Sequence, residues 1–183
     1  QTKWYSALGE AIVLWNVLED VTQAAVVLSN SPNTIPSVAG PELFTGKNLG
    51  VLKEGVWYVH VRFRNNRGWG QTEHYKISLD TTAPLPFEIQ IDNPISDNPV
   101  PEIRFTAQDA LSGVEAIKLF VDNNEGAAST TSAVFKLSPQ PPGQHRLVVR
   151  VFDFAGNSIQ DDLEFEILPL PQPVLLKHYQ IVV

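Results

Sequence analysis

Few side chains in this sequence are suited to chemistry, and the best group is three aspartates. Asp80 opens Asp-Thr-Thr-Ala-Pro, Asp109 lies in Gln-Asp-Ala-Leu-Ser-Gly, and Asp153 heads Asp-Phe-Ala-Gly-Asn. Carboxylate oxygens gathered at one point would suit Ca²⁺, a hard cation that takes several oxygen ligands. The same residues are also good turn formers, and no Asp-x-Asp-x-Asp loop is present. The turn-forming role is therefore the expectation and no cofactor is expected, with calcium as the alternative. Trp69 and Tyr58 form a second lead. Trp69 falls at a hairpin tip and Tyr58 on the strand face opposite Trp57. Exposed rings there could stack on a sugar, and the competing role is to cover the ends of a small core. The four histidines are read as structural or surface residues, with His60 pointing outward and His145 inward near a strand start. Asp92, Asp97 and Asp122 read as solvated turn residues. The chain lacks Cys, a Gly-x-Ser-x-Gly elbow, a phosphate-binding loop and a dinucleotide fingerprint. Nothing is left to supply an activated nucleophile, so no enzyme is expected.

The elements that must hold these residues come from a repeat. "GVWYVHVRFRNNRGWGQTEHYKISLD", starting at Gly55, aligns without a gap to "GQHRLVVRVFDFAGNSIQDDLEFEIL", starting at Gly143. Only Gly55/Gly143, Val61/Val149, Arg62/Arg150 and Gly68/Gly156 are identical. The apolar pattern agrees far better. Trp57, Val59, Val61, Phe63, Tyr75, Ile77 and Leu79 face His145, Leu147, Val149, Val151, Leu163, Phe165 and Ile167, and only Trp57/His145 disagrees. A period of two is the strand signature, and a Gly-bearing tip between two such runs makes a hairpin. Upstream, "AIVLWNV" and "PEIRFTA" correspond, as do "AAVVLS" and "EAIKLFVD". Short strands at near-regular spacing, with no long 3.6-residue periodicity, define an all-β sandwich used twice. In that topology Asp109 and Asp153 approach the linker bearing Asp80, where calcium would stiffen the joint.

Boundaries follow from proline. Residues 1–82 and 87–168 are expected as two tandem β-sandwiches. Residues 83–86, Ala-Pro-Leu-Pro, form a short semi-rigid linker, because each proline fixes its own φ and extends its predecessor. Residues 169–183 form a Pro-rich segment and an extra strand, "VLLKHYQIVV" over 174–183. Its apolar residues Leu175, Leu176, Tyr179, Ile181 and Val183 would begin a third module, dock on the second, or add to a sheet edge of another copy. Net charge is −7, with seven Lys/Arg against seven Asp/Glu over residues 1–82 and six against thirteen over 83–183. An acidic surface disfavours nucleic acid and anionic membranes. No run is long and apolar enough to cross a bilayer as a helix. The chain opens Gln1-Thr2-Lys3 without Met, as expected of a piece of a longer chain or of one that has lost a leader.

"EGVWYVHVRFRNNRGWGQTEHYKISLDTTAP" and "SGVEAIKLFVD", with the "PPGQHRLVVRVFDFAGNS" that follows, resemble bacterial Ig-like or fibronectin type III-like repeats of secreted and cell-surface proteins. That resemblance implies an extracellular spacer or adhesive stalk. Its partners would be other domains of the same protein, or a surface protein or glycan. A carbohydrate- or protein-binding module is the alternative, and a self-assembling fibre subunit the third. The first copy has Asn65, Gly68 and Trp69 where the second has Asp-x-x-Gly-Asn, which puts any site at that tip in question.

Overall fold

The computed structural model describes residues 3–7, 9–40, 43–129 and 134–171. Its first strands are β1 (Trp4–Tyr5), β2 (Glu10–Leu14), β3 (Gln23–Ser29), β4 (Gly46–Val51), β5 (Gly55–Asn65), β6 (Gly68–Leu79) and β7 (Gln90–Ile91). They are followed by β8 (Ile95–Ser96), β9 (Glu102–Arg104), β10 (Val114–Val121), β11 (Asn124–Ser129), β12 (Val134–Lys136), β13 (Gly143–Asp153) and β14 (Ser158–Ile167). No helix occurs among the described residues, and the fold is all-β. Contacts divide the chain into two compact units. One holds the residues up to Leu85 together with 108–115 and 151–159, and the other holds 86–107, 116–150 and the described residues from Gln160 on.

In the first unit a four-stranded sheet, ordered β1-β6-β5-β3, and a two-stranded sheet, β2-β4, enclose one core. Ala11 and Leu52 meet Val59, Ile77 and Leu79 there, with Val13, Val26, Leu28, Leu49, Trp57 and Val61 packed around them. Alternation selects this set: Trp57, Val59 and Val61 of β5 point one way, and β6 brings Ile77 opposite Trp57. Two expectations fail on these strands. Tyr75, placed inward by its phase, is 59% exposed. It sits on β6 beyond the reach of β1, which pairs only with Ser78 and Leu79. His60, placed outward, is fully buried. The chain after β3 accounts for this: Thr34 bonds Ser29, which in turn bonds His60, and Asn30 Nδ2 donates to the Val56 carbonyl.

The second unit has a five-stranded sheet, β11-β10-β13-β14-β8, and a three-stranded sheet, β12-β9-β7. Its buried side chains come from both, among them Ile103, Ile117, Leu119, Leu147, Val149 and Phe165. Phe105 lies flat on Phe135, centroids 5.2 Å apart. The two long hairpins keep the sequence offset. β5 and β13 start at Gly55 and Gly143 and end at Asn65 and Asp153, and β6 and β14 end at Leu79 and Ile167, each pair 88 positions apart. The single mismatched core pair is also explained. Trp57 Nε1 donates to the Lys53 carbonyl at 2.7 Å, and His145 Nε2 bonds the Pro141 carbonyl at 2.8 Å. Either ring thus supplies an N–H to the carbonyl four residues back, so two different side chains close the same turn.

Candidate functional site

Asp80, Asp109 and Asp153 each place a carboxylate oxygen within 4.8 Å of the other two. All three belong to the first compact unit. Asp80 and Asp153 are fully buried. Local turn chemistry sets each one. Asp153 Oδ1 accepts from the amides of Ala155 and Asn157, which shapes the turn between β13 and β14. Gly156 holds φ +91 there, a conformation that side-chain-bearing residues resist. Asp109 Oδ1 accepts from Leu111 and Gly113 in the same manner. Asp80 takes the Thr82 amide on Oδ1 and the Ser112 amide on Oδ2. Asn157 then closes the group: its Nδ2 donates to the carbonyls of Asp80 and Thr82 and to Asp153 Oδ2, at 2.9, 3.1 and 2.7 Å. Among the described residues no Lys or Arg forms an ion pair with these carboxylates. The Ser112 hydroxyl, on the residue whose amide reaches Asp80, is buried without a hydrogen-bond partner. Oxygen donors only, with amide N–H groups holding them in place, make a cage suited to a hard cation or to a purely structural lock.

The two aromatic candidates are not brought together. Tyr58 pairs with Lys76 and Trp69 with Arg64, six positions apart along β5, or roughly 20 Å. Tyr58 stacks on His60 at 6.3 Å and is half-buried. Trp69 is half-buried at the tip of the β5–β6 hairpin, with the Arg62 and Arg64 guanidinium carbons 5.6 and 5.9 Å from its ring centroid. Leu175, Leu176, Tyr179, Ile181 and Val183 lie outside the described residues.

Two histidine arrangements escaped the sequence reading. His60 and His74, fourteen residues apart, meet across β5 and β6 with their Nδ1 atoms 2.6 Å apart. Only one proton fits between two such nitrogens, and Ser29 Oγ takes His60 Nε2 at 3.0 Å. Burial first, and then the charge of His74, hold the His60 pKa below its ordinary 6.5. The signal was present in the pairing register, which sets residue 60 opposite 74, but the assumption of an outward face hid it. In the second unit, His145 Nδ1 meets Asp122 Oδ2 at 2.6 Å beside a cavity of about 430 Å³. This has the look of a catalytic dyad and lacks its chemistry. The Pro141 carbonyl can only accept, so His145 Nε2 carries a proton. Asp122 faces Nδ1, and the imidazole therefore has no free lone pair with which to act as a base. Burial disfavours its charge, but the bonds to Asp122 and Pro141 and the Asp122 charge together outweigh that and raise its pKa. Asp122 is lowered, chiefly by the Arg146 amide and then by His145. Asp122 is thus more than a solvated turn residue: at φ 51 it holds the strand end through these two bonds.

No family model matches the chain, and no curated protein matches it. Solved structures do. The fibronectin(III)-like modules of Clostridium thermocellum CbhA align at 12% identity and TM-score 0.47, over 98% of this chain and 95% of theirs. Latent dimeric PorU of Porphyromonas gingivalis aligns at 14% and 0.40, over 90% of this chain and 20% of PorU. Bacteroides ovatus SGBP-B, in complex with a mixed-linkage heptasaccharide, aligns at 14% and 0.33, over 88% of this chain and 42% of SGBP-B. This chain therefore spans a fifth of PorU and under half of SGBP-B. All three scores are low, and the function has to be read from the chain's own side chains.

Proposed function

We propose that the chain is a non-catalytic structural module of an exported bacterial cell-surface protein. It would be built as tandem sandwiches over 1–82 and 87–168, and its work is to keep its shape under load. One observation carries the reading. The buried aspartates, the residues best placed for chemistry, spend their oxygens on backbone amides, and Asn157 ties the turn after β13 to the 80–82 segment, about 75 residues away in sequence. Such ties resist separation of distant segments, which is what a spacer requires. Removing Asn157 strands the part-buried Asp80 carbonyl, releases the exposed Thr82 carbonyl to water and frees Asp153 Oδ2, at a cost of about 2 kcal/mol. Asn157→Ala should lower the melting temperature by about 10 °C and reduce the unfolding force in single-molecule extension. Unchanged melting and force would remove the basis for a mechanical role.

Calcium at the aspartate cage is the second reading, supported by the carboxylates' lack of a cationic partner and by the orphaned Ser112 hydroxyl. A divalent ion would take the open lone pairs of Asp80, Asp109 and Asp153. Chelator should then lower the melting temperature of the wild type and leave Asp109→Asn unmoved. If chelator has no effect on the wild type, the cage is held by hydrogen bonds alone.

A further inference from the structure

The tip of the β5–β6 hairpin gathers more cation than a turn needs. All three arginines of residues 1–82, Arg62, Arg64 and Arg67, are there, and the four lysines of that stretch lie elsewhere in the sequence. Arg62 donates Nε to the Gly70 carbonyl at 2.7 Å, and Arg64 donates Nη1 to Gln23 Oε1 at 3.2 Å. Trp69 lies within 6 Å of both guanidiniums. Each anchor uses one donor of five, so most of the N–H groups stay free. Among the described residues no carboxylate forms an ion pair with any of the three. Asp20 shares the cavity wall with Arg64 and Arg67, and its Oδ2 accepts from Asn65 Nδ2 at 2.7 Å. The Trp69 ring, the Gly70 carbonyl and Gln23 hold the Arg62 and Arg64 guanidiniums in place, which leaves their remaining N–H groups to an anion.

Beside them opens a cavity of about 430 Å³, walled by Arg64, Arg67 and Trp69 and by Asn16, Leu18 and Asp20. Leu18 is 73% exposed there. The volume accommodates one or two sugar rings. Its walls combine an apolar patch, an amide and two guanidiniums, with the Asp20 carboxylate, held by Asn65, as the one acid among them. A pyranose bearing a carboxylate matches all three: its C–H face on Leu18, its hydroxyls on Asn16 and its carboxylate in the fork of an arginine.

We propose that the Trp69 hairpin tip is a binding site for anionic polysaccharide, with Arg64 and Arg67 holding the uronate carboxylate and Arg62 and Trp69 positioning them. The site is independent of the structural role above, since none of these residues touches the aspartate cage. The experiment is affinity electrophoresis and calorimetry of the full chain with polygalacturonate, with neutral mixed-linkage glucan and polyglutamate as comparisons. Polygalacturonate should retard the protein, increasingly so as salt is lowered, and the other two should not. The Arg64→Ala/Arg67→Ala double variant should lose about tenfold or more in affinity. An unchanged melting temperature in that variant separates loss of the site from loss of the fold. Equal retardation by neutral glucan, equal binding of polyglutamate, or full affinity in a folded double variant would each overturn the proposal.

Discussion

Proton balance at single residues has a sign that can be worked out. His145 has a raised pKa, so its contribution to stability is complete below 6.5 and is lost as pH climbs through the higher folded value. Asp122 has a lowered pKa, so its contribution is complete above 3.8 and is lost as pH falls through the lower folded value. The pair is strongest between those limits, with Asp122 ionised and His145 charged. Replacing His145 with Gln should flatten the stability curve between about pH 5 and 8, as read by thermal melts across pH, and should cost most at the acid end of that range. A variant curve parallel to the wild type would mean that His145 is neutral in the folded chain. His60 runs the other way: its lowered pKa makes acid below 6.5 a penalty on the first unit. The turn at Asp153 is legible in sequence because Asp-x-x-Gly-Asn encodes its own hydrogen bonds, from the Ala155 and Asn157 amides to Asp153 Oδ1. Sequence reading missed both histidine contacts, because His74 comes from the neighbouring strand and Asp122 from the turn after β10.

At the scale of elements, the glycine pattern separates backbone need from space. Gly55, Gly68, Gly143 and Gly156 all hold positive φ, at 132, 120, 142 and 91, and a Cβ at any of them would meet nothing within 4 Å. Replacing Gly156 with Ala should therefore cost only the backbone strain, about 1–2 kcal/mol, seen as an earlier midpoint in urea with an unchanged slope. A change in slope would mean that the variant turn opens the sheet as well. The hairpins were legible because their apolar residues alternate in the sequence, an alternation that β13 keeps in its burial and β5 and β6 keep only in part. Tyr75 shows the limit. Phase gives the face of a strand, but it does not say how far along that face the neighbouring strand or sheet extends. The short strands β1, β7 and β8, two residues each, carry no period at all and emerged only from pairing.

For the whole molecule, charge and architecture lead to different surfaces. The acidic excess belongs to residues 83–183, while the first 82 are balanced and concentrate their arginines at one tip. An overall net charge of −7 conceals that tip, which is why composition alone pointed away from anionic ligands and a local reading points toward them. The all-β class and the two-hairpin pattern could be read from alternation and proline. The repeat topology brings Asp109 and Asp153 toward Asp80, but it does not reveal that the whole of 108–115 and 151–159 packs with the N-terminal stretch, because that depends on contacts between segments far apart in the chain.

The matched hairpins carry a hazard for a newly made chain. Strands of equal length and the same alternation, 88 positions apart, are natural candidates to pair with each other's partners during synthesis, the usual way tandem arrays go astray. Only four identities survive in the 26 aligned positions, and at the His145/Trp57 mismatch a swapped strand would bring the smaller imidazole to a place filled by an indole. Divergence between the copies disfavours such an exchange, since each strand fits its own sister better than the other copy's.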